Sequence, residues 1–172
     1  MKIYIVGCAK SGTTLVRRLF NAFDLKVYNW DEMPYDRFLK SGYDVAKRRK
    51  RTVFSYDLSK AEIEKQLEAL KGCKIVNVVR FAEDVCKNNR VTFKRWDSCI
   101  EQSIMYSEHI DCTIGYEFLI DNPDKVQGHV ADKLELDMIR KWSEYPDFID
   151  ISSERASTHL GNYKLRPIGA DY

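Results

Sequence analysis

Gly7-Cys8-Ala9-Lys10-Ser11-Gly12-Thr13-Thr14 is the stretch from which the rest of the chain can be placed. It follows Lys2 to Val6 (KIYIV), a short apolar run that reads as a strand, and opens Thr13 to Phe23, where Leu15, Leu19, Phe20 and Phe23 recur at helical spacing. Strand, glycine turn and helix therefore follow one another. The backbone N–H groups of such a turn, with the helix start behind them, converge on a point that suits an anion. The alternative is a simple glycine turn with Lys10 in solvent. Two glycines, a lysine and tandem threonines in this order match what a phosphate cradle requires.

Outward from that unit, strands and helices alternate. Leu25 to Tyr28 reads as a second strand and Thr52 to Tyr56 as a third. Ser59 with Glu62 three residues later forms the capping box of a helix that should run to Gly72. Lys74 to Val79 (KIVNVV) reads as a buried strand, followed by a helical region from about Glu83 to His109, interrupted near Arg90 to Lys94. Cys112 to Tyr116 is a further strand, and Asp124 to Leu134 and Asp137 to Tyr145 read as two short helices. The expected fold class is α/β: a single-domain parallel β-sheet flanked by helices, in the P-loop NTPase-like three-layer α/β/α arrangement, spanning residues 1–172. Residues 146–172, with Pro146 and Pro167, read as irregular. In such sheets ligands sit beyond the carboxyl ends of the strands, so the Cys8 to Thr14 loop and the segment after Val79 should meet.

Composition narrows the function classes. The 172 residues are 44% hydrophobic and 12% aromatic, enough for one core of ordinary density. A balance of 28 basic against 26 acidic residues argues for no nucleic-acid partner and no membrane surface, so any anion site must be local. The apolar run from Ile3 stops at Gly7, far short of the ~20 residues of a membrane span, and no signal-peptide pattern precedes it; a soluble, cytoplasmic protein is expected. Cys8, Cys73, Cys86, Cys99 and Cys112 are odd in number and include no C-x-x-C pair, which fits a reducing compartment. The even spacing of the last four carries no repeat of the surrounding sequence, and no zinc is expected. Lys47-Arg48-Arg49-Lys50-Arg51 reads as an exposed helix end; the alternative is attraction of an anionic acceptor such as a polysaccharide.

The loop departs from a Walker A motif, G-x-x-x-x-G-K-[ST], because Thr13 stands at the lysine position and the lysine comes earlier, at Lys10. An ammonium inside the loop can neutralise a leaving phosphate without a metal. A nucleotide or small-molecule kinase is the competing enzyme class. Against it, this chain lacks the Walker lysine, and the strand Ile75 to Val79 ends in Arg80 where a magnesium-binding Asp would be expected. A catalytically silent nucleotide-binding protein is the other alternative.

Ala9-Lys10-Ser11-Gly12-Thr13-Thr14 resembles the 5′-phosphosulfate loop, P-K-S-G-T-T, of the sulfotransferase family. Leu15 stands where cytosolic members usually place Trp, and looks more like carbohydrate-type and bacterial members. Val78 to Val85 is similar to the family's 3′-phosphate segment V-R-D-P-R-D-V, with Arg80 as the phosphate ligand and Asn88 where the family has a serine. An arginine closing a strand suits phosphate because its planar fork makes paired charge-assisted bonds; its alternative is an ion pair with a helix carboxylate such as Glu83. Tyr116-Glu117-Phe118-Leu119 and Asp121-Asn122-Pro123 look like the family's Y-E-x-L and D-P stretches, with Glu117 bracing the phosphate loop. His159 to Lys164 weakly resembles the C-terminal G-x-x-G-x-W-K, making Lys164, Arg155 and Arg166 candidate cations of a segment that closes over the nucleotide.

The resemblance implies transfer of a sulfuryl group from 3′-phosphoadenosine 5′-phosphosulfate to a small-molecule or carbohydrate acceptor by in-line displacement, with adenosine 3′,5′-bisphosphate as product and no metal. Such a reaction needs a base at the acceptor proton. His109, His129 and His159 fall outside the early loops, so carboxylates are the candidates. Glu32, in a Trp30 to Pro34 segment similar to the G-E-P segment of carbohydrate sulfotransferases, is the first, and Asp57 the second. A loop carboxylate is otherwise simply solvated.

Overall fold

The computed structural model describes residues 1–30, 32–49, 52–87 and 91–145. Its sheet has four parallel strands in the order β2-β1-β3-β4: Ile3–Gly7 is β1, Val45–Lys47 is β2, Lys74–Val79 is β3 and Cys112–Gly115 is β4. Ile3 lies between Val45 and Lys74, and Gly7 pairs with Val78, so β1 and β3 end together. Alternate residues face opposite sides of a strand. Ile3, Ile5, Val76, Val78, Cys112 and Ile114 point into one layer, whereas Tyr4, Val6, Ala46 and Ile75 point into the other.

Both faces are covered by helices, as a parallel sheet requires. On the first face lie α1 (Thr13–Leu19) through Leu15, Val16 and Leu19, α6 (Tyr116–Asp121) through Leu119, and α7 (Pro123–Leu134) through Val126, Val130, Ala131 and Leu134. On the second lie α2 (Tyr35–Lys40) through Phe38 and α3 (Lys60–Ala69) through Ile63 and Leu67. The arrangement is the expected three-layer α/β/α, P-loop-like fold. Two further helices, α4 (Ala82–Cys86) and α5 (Phe93–Met105), follow β3, with residues 88–90 between them outside the described set. β1 connects toward β2 while β3 connects toward β4, so the chain reverses direction between β1 and β3. That switch point is where an open α/β sheet opens a crevice. No helix among the described residues is long and apolar enough to cross a membrane.

Several expected elements differ. Leu25 to Tyr28 is not a strand: Val27 makes a single bridge to Val45. Thr52 to Tyr56 is not one either. Phe54 there takes a left-handed backbone (φ 63), and Thr52 to Ser55 are buried as a loop whose polar groups find side-chain partners, with Tyr56 exposed. Arg48 Nη1 donates to the Thr52 carbonyl at 3.0 Å, and the Val53 N–H donates to Gln66 Oε1 at 2.9 Å. The place beside β1 is taken instead by Val45–Lys47, so the front of the basic run is a strand and not an exposed helix end. Lys47 is buried, at 8% exposure. The first helix ends at Leu19 and tightens into a 3₁₀ turn, Phe20–Ala22. Asp137 to Tyr145 holds only the 3₁₀ turn Trp142–Glu144, because α7 side chains occupy its backbone groups. Gln127 donates to the Arg140 carbonyl and accepts from the Trp142 N–H, and Asp124 accepts from the Ser143 N–H.

Candidate functional site

The loop between β1 and α1 is shaped by two glycines and one strained lysine. Gly12 caps α1 with a left-handed backbone (φ 98), and a Cβ there would land on the Tyr116 ring. At Gly7 a Cβ would stand 2.5 Å from the Val78 carbonyl oxygen of the neighbouring strand. Lys10 adopts φ 69, a conformation that L side chains rarely take and that sharpens the turn. The Ser11 N–H donates to the Cys8 carbonyl at 3.1 Å and closes it. Ala9 and Lys10 form an exposed rim, Thr13 is half-buried and Thr14 is exposed. Ser11 is 1% exposed, yet its Oγ has no hydrogen-bond partner. A buried hydroxyl without a partner is costly, so this loop has the hydrogen-bonding capacity left over that an oxyanion would use.

Arg80, which follows the last residue of β3, reaches across the switch point. Its Nη1 donates to the Lys10 carbonyl at 3.3 Å, and its guanidinium lies 4.3 Å from the Tyr116 ring centroid. Asp84 and Glu117 stand 3.8 and 4.0 Å from it; Glu83, the carboxylate the sequence suggested, is exposed and makes no such pair. Arg80 Nε is buried without a hydrogen bond. Glu117 Oε1 also accepts from the Phe81 N–H at 3.0 Å, so Glu117 braces the end of β3, and the phosphate loop only through Arg80. The Arg80 carbonyl accepts from Trp96 Nε1 at 2.8 Å, tying α5 to the same corner.

A third cation, missed by sequence reasoning, is Lys47. From the end of β2 its ammonium donates to Thr14 Oγ1 at 2.9 Å and lies 3.8 Å from Glu32 Oε1. Glu32 is thereby carried to the edge of the loop, with its side chain 35% exposed. Asp57 is exposed and accepts from Ser55 Oγ at 2.5 Å. The signal that could have found Lys47 is the one used for Arg80, a cation closing an apolar strand. It was hidden because the strand is only three residues long and runs straight into a run of like charge. Asn88, Arg155, Lys164 and Arg166 lie outside the described residues.

The same overall fold occurs in a solved structure, that of mouse sulfotransferase SULT7A1 complexed with PAP. The two superpose with a TM-score of 0.55 at 16% sequence identity, over 92% of this chain and 66% of that one. The fold is that of a sulfotransferase. This chain spans just under two thirds of that protein's length. No family model matches the chain, and no curated protein sequence does. In this sulfotransferase fold the lysine-bearing loop, Arg80 and Lys47 meet at one mouth, held by hydrogen bonds between β1, β2 and β3 connections that are far apart in sequence.

Proposed function

We propose that the chain is a sulfotransferase that moves a sulfuryl group from 3′-phosphoadenosine 5′-phosphosulfate to a hydroxyl or amine of a small-molecule or carbohydrate acceptor. The observation that carries this is the Arg80 to Lys10 bond. It joins a strand-end guanidinium to a phosphate loop whose buried Ser11 Oγ has no partner, so two separate phosphate-binding groups face one crevice. The donor, when bound, supplies a sulfuryl group on a phosphate leaving group, with a second phosphate on the ribose. The residues present fit both phosphates.

The loop amides with Ser11, Gly12, Thr13 and Thr14 hold the 5′-phosphate, and Ala9 lets the backbone approach it. Lys10 places its ammonium to neutralise charge on the leaving phosphate, and Lys47, fixed on Thr14, adds a second cation on that side. Arg80 binds the 3′-phosphate with its fork, and Asn88, Lys164 and Arg166 are the further candidate ligands, outside the described residues. Glu32 takes the acceptor proton, because Lys47 brings it to the loop, whereas Asp57 is the second candidate. Residues 1–172 act as one domain, without a metal, in a reducing cytoplasm that keeps the cysteines as thiols.

Calorimetric titration with adenosine 3′,5′-bisphosphate, with AMP, and with ATP plus magnesium tests the reading without knowledge of the acceptor. Preference for the bisphosphate in the absence of metal is the expected result. Binding of magnesium ATP alone would replace this reading by a kinase.

A further inference from the structure

We propose that Cys8 of the phosphate loop and Cys99 of α5 form an oxidation site, a thiol pair that a peroxide closes into a disulfide drawing the loop toward α5 and weakening its hold on anions. The anion part rests on the loop's reading as a phosphate cradle; the disulfide does not. Cys8 is the second residue of the loop, and its carbonyl accepts the Ser11 N–H that closes the turn. Cys99 lies in the middle of α5. Both are free thiols, 6% and 5% exposed, and they pack together with Val85, Val91 and Trp96 in a small cluster separate from the two main cores. Nothing in the donor chemistry requires two sulfurs there.

The two thiols share this one small buried cluster, and their mutual influence splits their acidities. Cys99 is held below the ordinary thiol range, first by the Cys8 thiol and then by Arg48 and the Tyr56 backbone, against burial and Asp57. Cys8 is pushed up by the neighbouring Cys99 sulfur, by burial and by Cys86, with Arg48 opposing. One sulfur is thus poised as a thiolate, the reactive form. The Cys99 thiolate attacks a peroxide oxygen, the O–O bond breaks, and the released hydroxide takes a proton to become water. The Cys8 sulfur, freed of its charged neighbour, then loses its proton and attacks the Cys99 sulfenic sulfur, expelling a second water. Two thiols and one hydrogen peroxide give one disulfide and two waters. A disulfide holds its sulfurs about 2.0 Å apart, closer than any pair of unlinked thiols can pack, so Cys8 must move and the Ser11 bond with it. α5 is anchored at Arg80 through the 2.8 Å bond of Trp96, shorter than the 3.3 Å bond from Arg80 to the Lys10 carbonyl, so the loop is the part that yields.

The test treats the full chain with hydrogen peroxide, maps linked peptides by mass spectrometry, and then adds dithiothreitol. Amide hydrogen exchange over residues 8–14 and calorimetry with adenosine 3′,5′-bisphosphate are read before and after each step. The expected result is a Cys8–Cys99 linkage, altered exchange in the loop and roughly tenfold weaker bisphosphate binding, all reversed by the reductant. Cys99→Ala, and Cys99→Ser as a second variant, should keep reduced-state binding and lose the response, while Cys86→Ala should respond as the parent does. The rate should rise from mildly acid to neutral pH. Thiols that stay unlinked, a linkage to Cys86, or a linkage that leaves loop exchange unchanged would overturn the proposal. A reduced chain that binds no bisphosphate removes the nucleotide reading alone, since linkage and exchange still decide this one.

Discussion

Gly12 carries two constraints at once, a left-handed backbone at the start of α1 and contact with the Tyr116 ring. Gly12→Ala should lower stability by more than about 1 kcal/mol, measured by urea unfolding, because the backbone strain and the ring clash act together. Lys10 and Arg80 are expected to separate in their kinetics. Lys10→Ala should cut turnover of a screened acceptor by about 100-fold while calorimetric donor affinity changes little, since the ammonium meets charge that develops during transfer. Arg80→Ala should weaken adenosine 3′,5′-bisphosphate by about 2 kcal/mol and leave AMP unaffected. An Arg80 variant that loses both ligands equally would remove the 3′-phosphate assignment. Both residues were legible in sequence because each ends a recognisable strand unit. Lys47 was not, since its importance lies in a 2.9 Å bond to Thr14, on a segment 33 residues away.

Elements were legible where their own side chains close them. The Ser59 box forms as its spacing predicts: Ser59 Oγ accepts from the Glu62 N–H at 3.3 Å, and Glu62 Oε2 accepts from the Ser59 N–H at 2.8 Å. Ser59→Ala should cost about 1 kcal/mol, read as a lower urea midpoint at constant slope. Elements closed by other parts of the chain were misread. Thr52 to Tyr56 has strand composition but finds its partners in Arg48 and Gln66 side chains, and Asp137 to Tyr145 gives its backbone groups to Gln127 and Asp124. Hydrophobic period reports which residues are buried, and burial alone does not distinguish a strand from a packed loop.

At the scale of the whole molecule, the sheet faces are sealed by residues distant in sequence. Trp142 is fully buried, 6.3 Å from the Phe20 ring and 6.0 Å from that of Phe23, and its backbone N–H donates to Gln127 Oε1. Trp142→Ala should cost about 3–5 kcal/mol in thermal unfolding, because the cavity opens beneath α1 and α7 together. The phosphate loop, which Trp142 does not touch through any of these contacts, should keep its ligand preference in whatever fraction stays folded. What the sequence by itself determined is the α/β class, the strand-loop-helix unit around Lys10, the strand ending in Arg80 and the capped helix at Ser59, since each rests on periodicity and turn chemistry within a few residues. The tertiary structure decided that Val45–Lys47 is the strand beside β1, that Lys47 and Glu32 join the loop, and that Cys8 meets Cys99. Those pairings depend on which strands lie side by side and which helices cover them, and that is settled by burial across the whole sheet, not by any local pattern.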